Sequence, residues 1–495
     1  MLDLLYASPM ALMVIGAIVL MLLSQDKISL QGFNFISVVF LMVSLSLQIY
    51  LFNKGDSSYL FESIFGKTFI IDTFSKIFDL MFTIGSILTL LINTDYFKSR
   101  SYFNGEYFAI ILFSVFGMMM LSHSNELVSS FIALEIASLS IYTLVGYHKS
   151  KQASYEAMMK YIILGSLAGA IYMLGVAIIY ANVGSSIFND ITYFVKNTPL
   201  SQMNMIFVGA SLLMVTIMFK IGAVPFHSWV IDVYHGAPSP ITMFMASTFK
   251  IAIFAIALRL YLVNFASINA FWTQALQIIT IATLVGGSFL AISQQHIKRM
   301  LAASSIVHSG YMLIALSSIG LGSELAAPAL MFYLIAYFLS SVGAFGIISF
   351  LSSQQQYDLT YDDFKGFAQR RPYMALAMSV FLLSLAGFPS TIGFLGKFYI
   401  FSSSIESGQI LLTALGIITA FISVYYYFKL IAMIYFYSDN DKQKKLPINI
   451  STVLIFVMAI LIVWGGIGTN LISFIPGADG FIGISKDAIN SIISN

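Results

Sequence analysis

Fourteen apolar runs, each near the length at which a helix crosses a bilayer, leave this chain one architecture. A spanning helix needs roughly 20 apolar residues, and in lipid only a helix or a closed barrel pairs every backbone N–H and C=O. Runs of that kind predict helices near 5–24, 33–53, 72–93, 106–122, 126–147, 155–181, 202–222, 239–262, 270–293, 297–318, 323–352, 373–403, 409–437 and 449–475. Only 9% of the residues are charged, against about 25% in soluble domains. The expected fold is therefore an all-α polytopic membrane protein of about 14 transmembrane helices. A formal net charge of +2 offers nothing specific to nucleic acid. The lack of cysteine excludes disulfides, Cys-ligated iron–sulfur clusters and thiol chemistry. No cofactor and no metal are expected in this chain.

Sidedness follows from Lys and Arg in the connections. One set of loops carries thirteen, among them Lys27, Lys98, Arg100, Lys298, Arg299 and Lys442. The other carries five: Lys54, Lys67, Lys196, Arg259 and Lys486. The rule puts the richer set in the cytoplasm and both termini on the far, periplasmic side. Met1-Leu2-Asp3 lacks a basic leader, so the first run is expected to be an uncleaved span. Stretches 183–200 and 476–495 are too short or too polar to span and are expected to lie at the interface.

Two runs are interrupted alike. Helix 7 ends Phe219-Lys220-Ile221-Gly222-Ala223-Val224-Pro225, and helix 12 contains Ala386-Gly387-Phe388-Pro389 ahead of Gly396-Lys397. Breaks at membrane depth free backbone carbonyls, which only a protein or wet neighbourhood tolerates. Breaks five helices apart predict an inverted repeat. The expected division is 1–105 for helices 1–3, 106–262 for a first repeat of helices 4–8, 270–437 for a second of helices 9–13, and 449–495 for helix 14 and a tail.

Charge inside the apolar runs is the second constraint. Glu135, Lys160, Lys220, Lys250 and Lys397 each sit within one. An ionised group at mid-bilayer costs roughly 2.5–3.5 kcal/mol, so the set costs on the order of 10 kcal/mol unless partners, water or function offset it. Glu135 on helix 5 is expected to pair with Lys220 on helix 7. Such a pair switches charge state when it is separated; a structural ion pair is the bland reading. Lys160, four residues after Glu156, fits either a surface i,i+4 pair or a proton-uptake point. Lys250 is the expected central carrier, since a desolvated lysine gives up its proton readily. His308, the one histidine deep in a helix, can accept and donate near neutral pH; a histidine bridging packed helices is the bland alternative. Lys397, just past the second break, is expected at the far half-channel. Lys429 fits a snorkelling side chain, and Asp79 has no evident partner. The Gly165/Gly169 spacing reads as close helix packing. His227, Asp232 and His235 do not have zinc spacing. No phosphate-binding loop is present.

The segment Pro225-Phe226-His227-Ser228-Trp229 through Asp232-Val233-Tyr234-His235-Gly236-Ala237-Pro238, followed by Lys250, resembles the antiporter-like, proton-pumping membrane subunits of respiratory complex I, subunit N above all. Three more blocks agree: Leu385-Ala386-Gly387-Phe388-Pro389 with Gly393 through Tyr399, Lys298-Arg299-Met300 with His308-Ser309-Gly310-Tyr311, and Tyr155-Glu156-Ala157 with Lys160-Tyr161. The resemblance spans essentially the whole chain. It implies a fourteen-helix fold and a proton-translocating, non-redox subunit of an NADH:quinone oxidoreductase. Glu135 and Lys220 would form a switchable pair, Lys250 a central relay, His308 the connecting axis and Lys397 the end of a second half-channel. Quinone, flavin and iron–sulfur clusters would belong to other subunits; the implied partners are other membrane subunits and lipid in a bacterial inner membrane. Ile231 departs from the proline usual there, which loosens the turn after helix 7. Two other readings remain: a subunit of a multi-subunit Na⁺/H⁺ antiporter, or a non-conducting membrane scaffold.

Overall fold

The computed structural model describes the chain except residues 1, 26–27, 53, 55–57, 101, 266–267, 354–358, 438–448, 468–475 and 494–495. Among the described residues, twelve helices are long and apolar enough to cross a membrane, and two shorter apolar helices, Pro372–Ala386 and Ile450–Trp464, take the twelfth and fourteenth places. Four of the thirteen loop cations used for sidedness, Lys27, Lys442, Lys444 and Lys445, lie outside the described residues. So does the end of the expected fourteenth run, whose described helix stops at Trp464.

Burial sorts the helices into a core and a rim. The second span, Leu30–Phe52, is only 28% buried, whereas Ser239–Leu262 and Ile297–Gly320, the eighth and tenth, are buried throughout. Those two carry Lys250 and His308. These two expected charge carriers therefore lie inside the bundle.

Both expected breaks are present. The seventh span, Asn204–Ile221, stops at Gly222 with φ 74°, and a short helix Val230–Gly236 follows. The twelfth run divides into Pro372–Ala386, stopped by Gly387 with φ 85°, and Ile392–Glu406. Left-handed φ is the conformation that glycine adopts without a Cβ penalty, so each break is written into one residue. Ile231, where the resemblance leads one to expect proline, sits inside the short helix Val230–Gly236.

A third irregularity was not legible in the sequence. The eighth span runs as α-helix over Ser239–Phe244, widens into a π-helical turn over Met245–Phe249, and returns to α-helix at Lys250. Opposite it, any side chain on Gly85 of the third span would strike Thr248 and Phe338.

The two stretches expected at the interface each contain a helix. Phe188–Asn197 is a helix that buries Phe188, Ile191 and Val195 along one face. Ala478–Ile493 is a second, tied to the third span where the Phe74 amide donates to Ser491 Oγ at 3.1 Å. A two-stranded hairpin, Ser58–Tyr59 with Ile70–Ile71, covers the start of the third span.

A buried line of ionisable groups

Glu135 of helix Leu127–Val145 and Lys220 of helix Asn204–Ile221 approach each other beside helix Gln152–Val183. Lys220 Nζ donates to Ser138 Oγ and to the Tyr142 hydroxyl, each at 2.8 Å. It stands 4.0 Å from Glu135 Oε1, with the lysine side chain fully buried and the glutamate 19% exposed. That distance is an ion pair but too long for a hydrogen bond, and Glu135 Oε1 has no hydrogen-bond partner. The carboxylate is thus held by charge alone at that oxygen, while the ammonium is held by two hydroxyls. Gly165 and Gly169 make the room. A Cβ on Gly169 would sit 2.9 Å from Glu135 Oε1, and one on Gly165 would collide with the Tyr142 hydroxyl. Close helix packing was the expectation for these glycines; what they admit is the ion pair and its tyrosine.

The broken end of the seventh span is satisfied by neutral donors. Ser309 Oγ donates to the Ile221 carbonyl at 2.8 Å, and Trp229 Nε1 donates to the Phe219 carbonyl at 3.0 Å. Ser309 Oγ also lies 3.1 Å from the Ser305 carbonyl, which accepts the ammonium of Lys250 at 2.6 Å. The tenth helix therefore joins the Lys220 end of one break to Lys250.

From Lys250 the line continues over aromatic rings. Its Nζ lies 5.5 Å from the Tyr337 ring, and that ring is 5.2 Å from His308. Nδ1 of His308 contacts the Tyr333 hydroxyl at 2.6 Å and Nε2 contacts that of Tyr427 at 3.0 Å. Tyr311 lies 5.7 Å beyond the imidazole, with Lys397 Nζ 4.7 Å from its ring. Lys397 then donates to the carbonyls of Leu385 and Ala386, both at 2.9 Å, at the second break. A cation against the C-terminal carbonyls of a helix is favoured by its dipole. These tyrosines were missed: single aromatics in apolar runs carry no sequence signal that separates them from ordinary core.

Lys160 is apart from this line. It is 42% exposed and pairs with Glu156 at 2.7 Å and Asp232 at 3.1 Å. Asp232 also takes Arg299 at 3.2 Å. Burial pushes the Asp232 carboxyl up, but the hydrogen bond and charge of Lys160, with Arg299, outweigh it and hold the group below the usual carboxylate range. Lys429 lies over the Tyr361 ring at 4.2 Å.

Asp79 does have a partner. Its Oδ2 lies 2.8 Å from Nε2 of His123, the last residue of helix Gly105–His123. His308 is therefore not the sole buried histidine in a helix; His123 escaped notice because it ends its run. Among the described residues no group of three or more His, Asp or Glu converges to hold a metal ion.

Residues 124–423 match the family described as NADH:quinone oxidoreductase/Mrp antiporter, transmembrane. A relative named NADH-quinone oxidoreductase subunit N, from Trichlorobacter lovleyi, is 38% identical over 77% of each chain. The chain belongs to the subunit N family. All six candidate residues from Glu135 to Lys397 fall inside the matched stretch, whereas Asp79 and His123 lie outside it. A chain of respiratory complex I from Thermus thermophilus, solved with bound aureothin, aligns with a TM-score of 0.78 at 28% identity, covering 94% of this chain and 98% of that one. A chain of the Mrp complex from Dietzia sp. DQ12-45-1b gives 0.84 at 16% identity over 98% and 97%, which shows a shared fold. The chain is accordingly an antiporter-like, multi-pass membrane subunit of subunit N type.

Proposed function

We infer that this chain translocates protons as a non-redox membrane subunit of an NADH:quinone oxidoreductase. The observation that supports it most is the buried succession Glu135–Lys220, Lys250, His308, Lys397 between two broken helices. Its members alternate charge carriers with hydroxyls and rings at contact distances, in the centre of the bundle. Glu135 and Lys220 act as the switchable pair of one half-channel. Separating them weakens the attraction that keeps both ionised in a low dielectric, and the ammonium sheds its proton. Lys250 receives and passes it, His308 bridges through its two nitrogens, and Lys397 ends the second half-channel. Helices 4–8 and 9–13 are the two repeats. Lys160, in its surface cluster, fits proton uptake on the cytoplasmic side, with both termini on the other side of a bacterial inner membrane. Quinone reduction in other subunits supplies the drive, and its partners are those membrane subunits and lipid.

The test is proton pumping by the assembled complex in sealed vesicles, comparing the native chain with Lys220→Ala and Glu135→Ala. Pumping should fall strongly in both while the complex still assembles. Normal pumping by an assembled Lys220→Ala complex contradicts the paired-switch role. Sodium-dependent exchange without quinone would instead favour an antiporter subunit, a reading the family description also accommodates.

A further inference from the structure

A second set of buried ionisable groups lies between the third, fourth and eighth spans, and the succession above does not use it. Asp72 takes both Arg259 guanidinium nitrogens, at 2.9 and 3.1 Å, with the arginine side chain 3% exposed and the aspartate not at all. Arg259 also donates to the Ser122 carbonyl at 2.8 Å. The Ser122 hydroxyl donates to Asp79 Oδ1 at 3.1 Å, and Asp79 Oδ2 meets His123 Nε2 at 2.8 Å. Lys76, on the same span, directs its ammonium to the Lys54 carbonyl. Lys486 and Asp487 of the helix packed outside are exposed.

The proton count of this set can be read from its contacts. A bidentate guanidinium–carboxylate pair stays charged on both sides, so Asp72 and Arg259 balance each other. His123 Nδ1 faces the Ile70 carbonyl at 2.9 Å. A carbonyl only accepts, so that nitrogen carries hydrogen. The contact between Nε2 and Oδ2 then needs one more hydrogen, held as imidazolium with carboxylate or as imidazole with carboxylic acid. That proton is the adjustable one.

The set also lies in line with Lys220. A small cavity beside Lys220 is walled by Leu121, Leu134, Ile217, Ile253 and Ile256, with Ser130, Thr216 and Tyr172 also against it. Leu121 adjoins Ser122, and Ile256 lies one helical turn before Arg259. Its room for a water centre is about 10 Å³, near the least a water needs. A cavity so small, bordered mainly by apolar side chains, closes the path as it stands, and an outward shift of those side chains would admit water. The cluster lies at the helix ends beside the 58–71 hairpin, on the face opposite Lys160.

We propose that the Asp79–His123 pair, fixed by Ser122 and the Arg259–Asp72 bridge, is a side exit at Lys220, by which part of the protons shed there leave instead of passing on to Lys250. This rests on the reading of the chain as a proton translocator. When water enters the cavity, an N–H bond of the Lys220 ammonium breaks, leaving the amine, and the proton passes along water to form an O–H bond on the Asp79 carboxylate. The pair, now one proton richer, releases a proton to water at the hairpin face and returns to its starting count. The competing role is a polar staple between three helices. A staple needs hydrogen bonds and no change of protonation.

Asp79→Asn with His123→Gln keeps hydrogen-bonding side chains of similar shape and removes the titration. In the assembled complex in vesicles, losing this positioned proton-transfer pair should lower pumping per electron transferred by about twofold, the flux through Lys250 continuing. Asp79→Glu should recover most of it. Pumping at the native level by the doubly substituted complex overturns the proposal. Where the double variant does not assemble, infrared difference spectra of the turning-over complex with Asp79→Glu decide. A carboxylic C=O band that differs between Asp and Glu at this position supports the side exit, and a spectrum unchanged by the substitution overturns it. A Lys250→Met control separates the two levels: if it lowers pumping while the Asp79/His123 variant does not, only the side exit is wrong. If it too pumps normally, the translocator reading has failed.

Discussion

The two broken helices solve one problem in opposite ways. Each stops at a left-handed glycine in the membrane and leaves carbonyls facing inward. At Gly222 those carbonyls are met by neutral donors, Ser309 and Trp229. The nearby Lys220 is left free to bind hydroxyls and to face Glu135. At Gly387 the lysine itself does the work: Lys397 reaches back to the carbonyls of Leu385 and Ala386. The first ammonium is therefore balanced by a carboxylate 4.0 Å away, with no hydrogen bond at the facing oxygen. The second is balanced by the end of a helix, to which it is hydrogen-bonded. A charge held by a separable partner suits switching, and one held by a fixed dipole suits retention.

The largest effect is expected where structure and transport share one group. Lys397→Ala removes both the carrier and the cap, so pumping should fall by about a hundredfold. The broken end should also lose on the order of 1–3 kcal/mol from unsatisfied carbonyls, read as a lower Tm of the complex. At the other break the two roles separate. Glu135→Gln should reduce pumping by about tenfold and lower Tm less, because the carboxylate accepts no hydrogen bond at Oε1 and the buried Lys220, its counter-charge gone, can shed its proton. Equal Tm losses for the two variants would erase the contrast. A smaller effect, about two- to fivefold in pumping and roughly 1–2 kcal/mol in stability from overpacking, is expected for Gly169→Ala, whose methyl would press on Glu135. The smallest concerns the Asp232 cluster. Its carboxylate is held below its ordinary value near 3.8, so the contribution is complete above that pH and is lost as pH falls through the lower folded value. Asp232→Asn should thus weaken the contact above pH 4 and match the native chain at more acid pH, as measured by the pH dependence of Tm.

Most of the fold could be read before any coordinates because bilayer thickness fixes helix length, and glycine with proline marks both breaks. Glu135, Lys220, Lys250 and Lys397 were equally plain as candidates, since a charge in an apolar run is costly enough to stand out. Geometry was needed for what depends on neighbours distant in sequence. Tyr311, Tyr333, Tyr337 and Tyr427 look like core until His308 is seen among them. Gly165 and Gly169 look like a packing motif until Glu135 and Tyr142 are placed against them. Asp79 had no partner within its own run, and His123 lies 44 residues away. The π-helical turn before Lys250 leaves no mark in residue type, yet such turns concentrate at functional sites.

Lys250, on the eighth span, touches the Ser305 carbonyl of the tenth and the Tyr337 ring of the eleventh. The ratio of protons moved per electron pair, measured in vesicles holding the complex with Lys250→Met, therefore probes whether the two halves form a single conducting line. A single line predicts a lower ratio with the complex intact and electron transfer still running. An unchanged ratio in an assembled complex would contradict it.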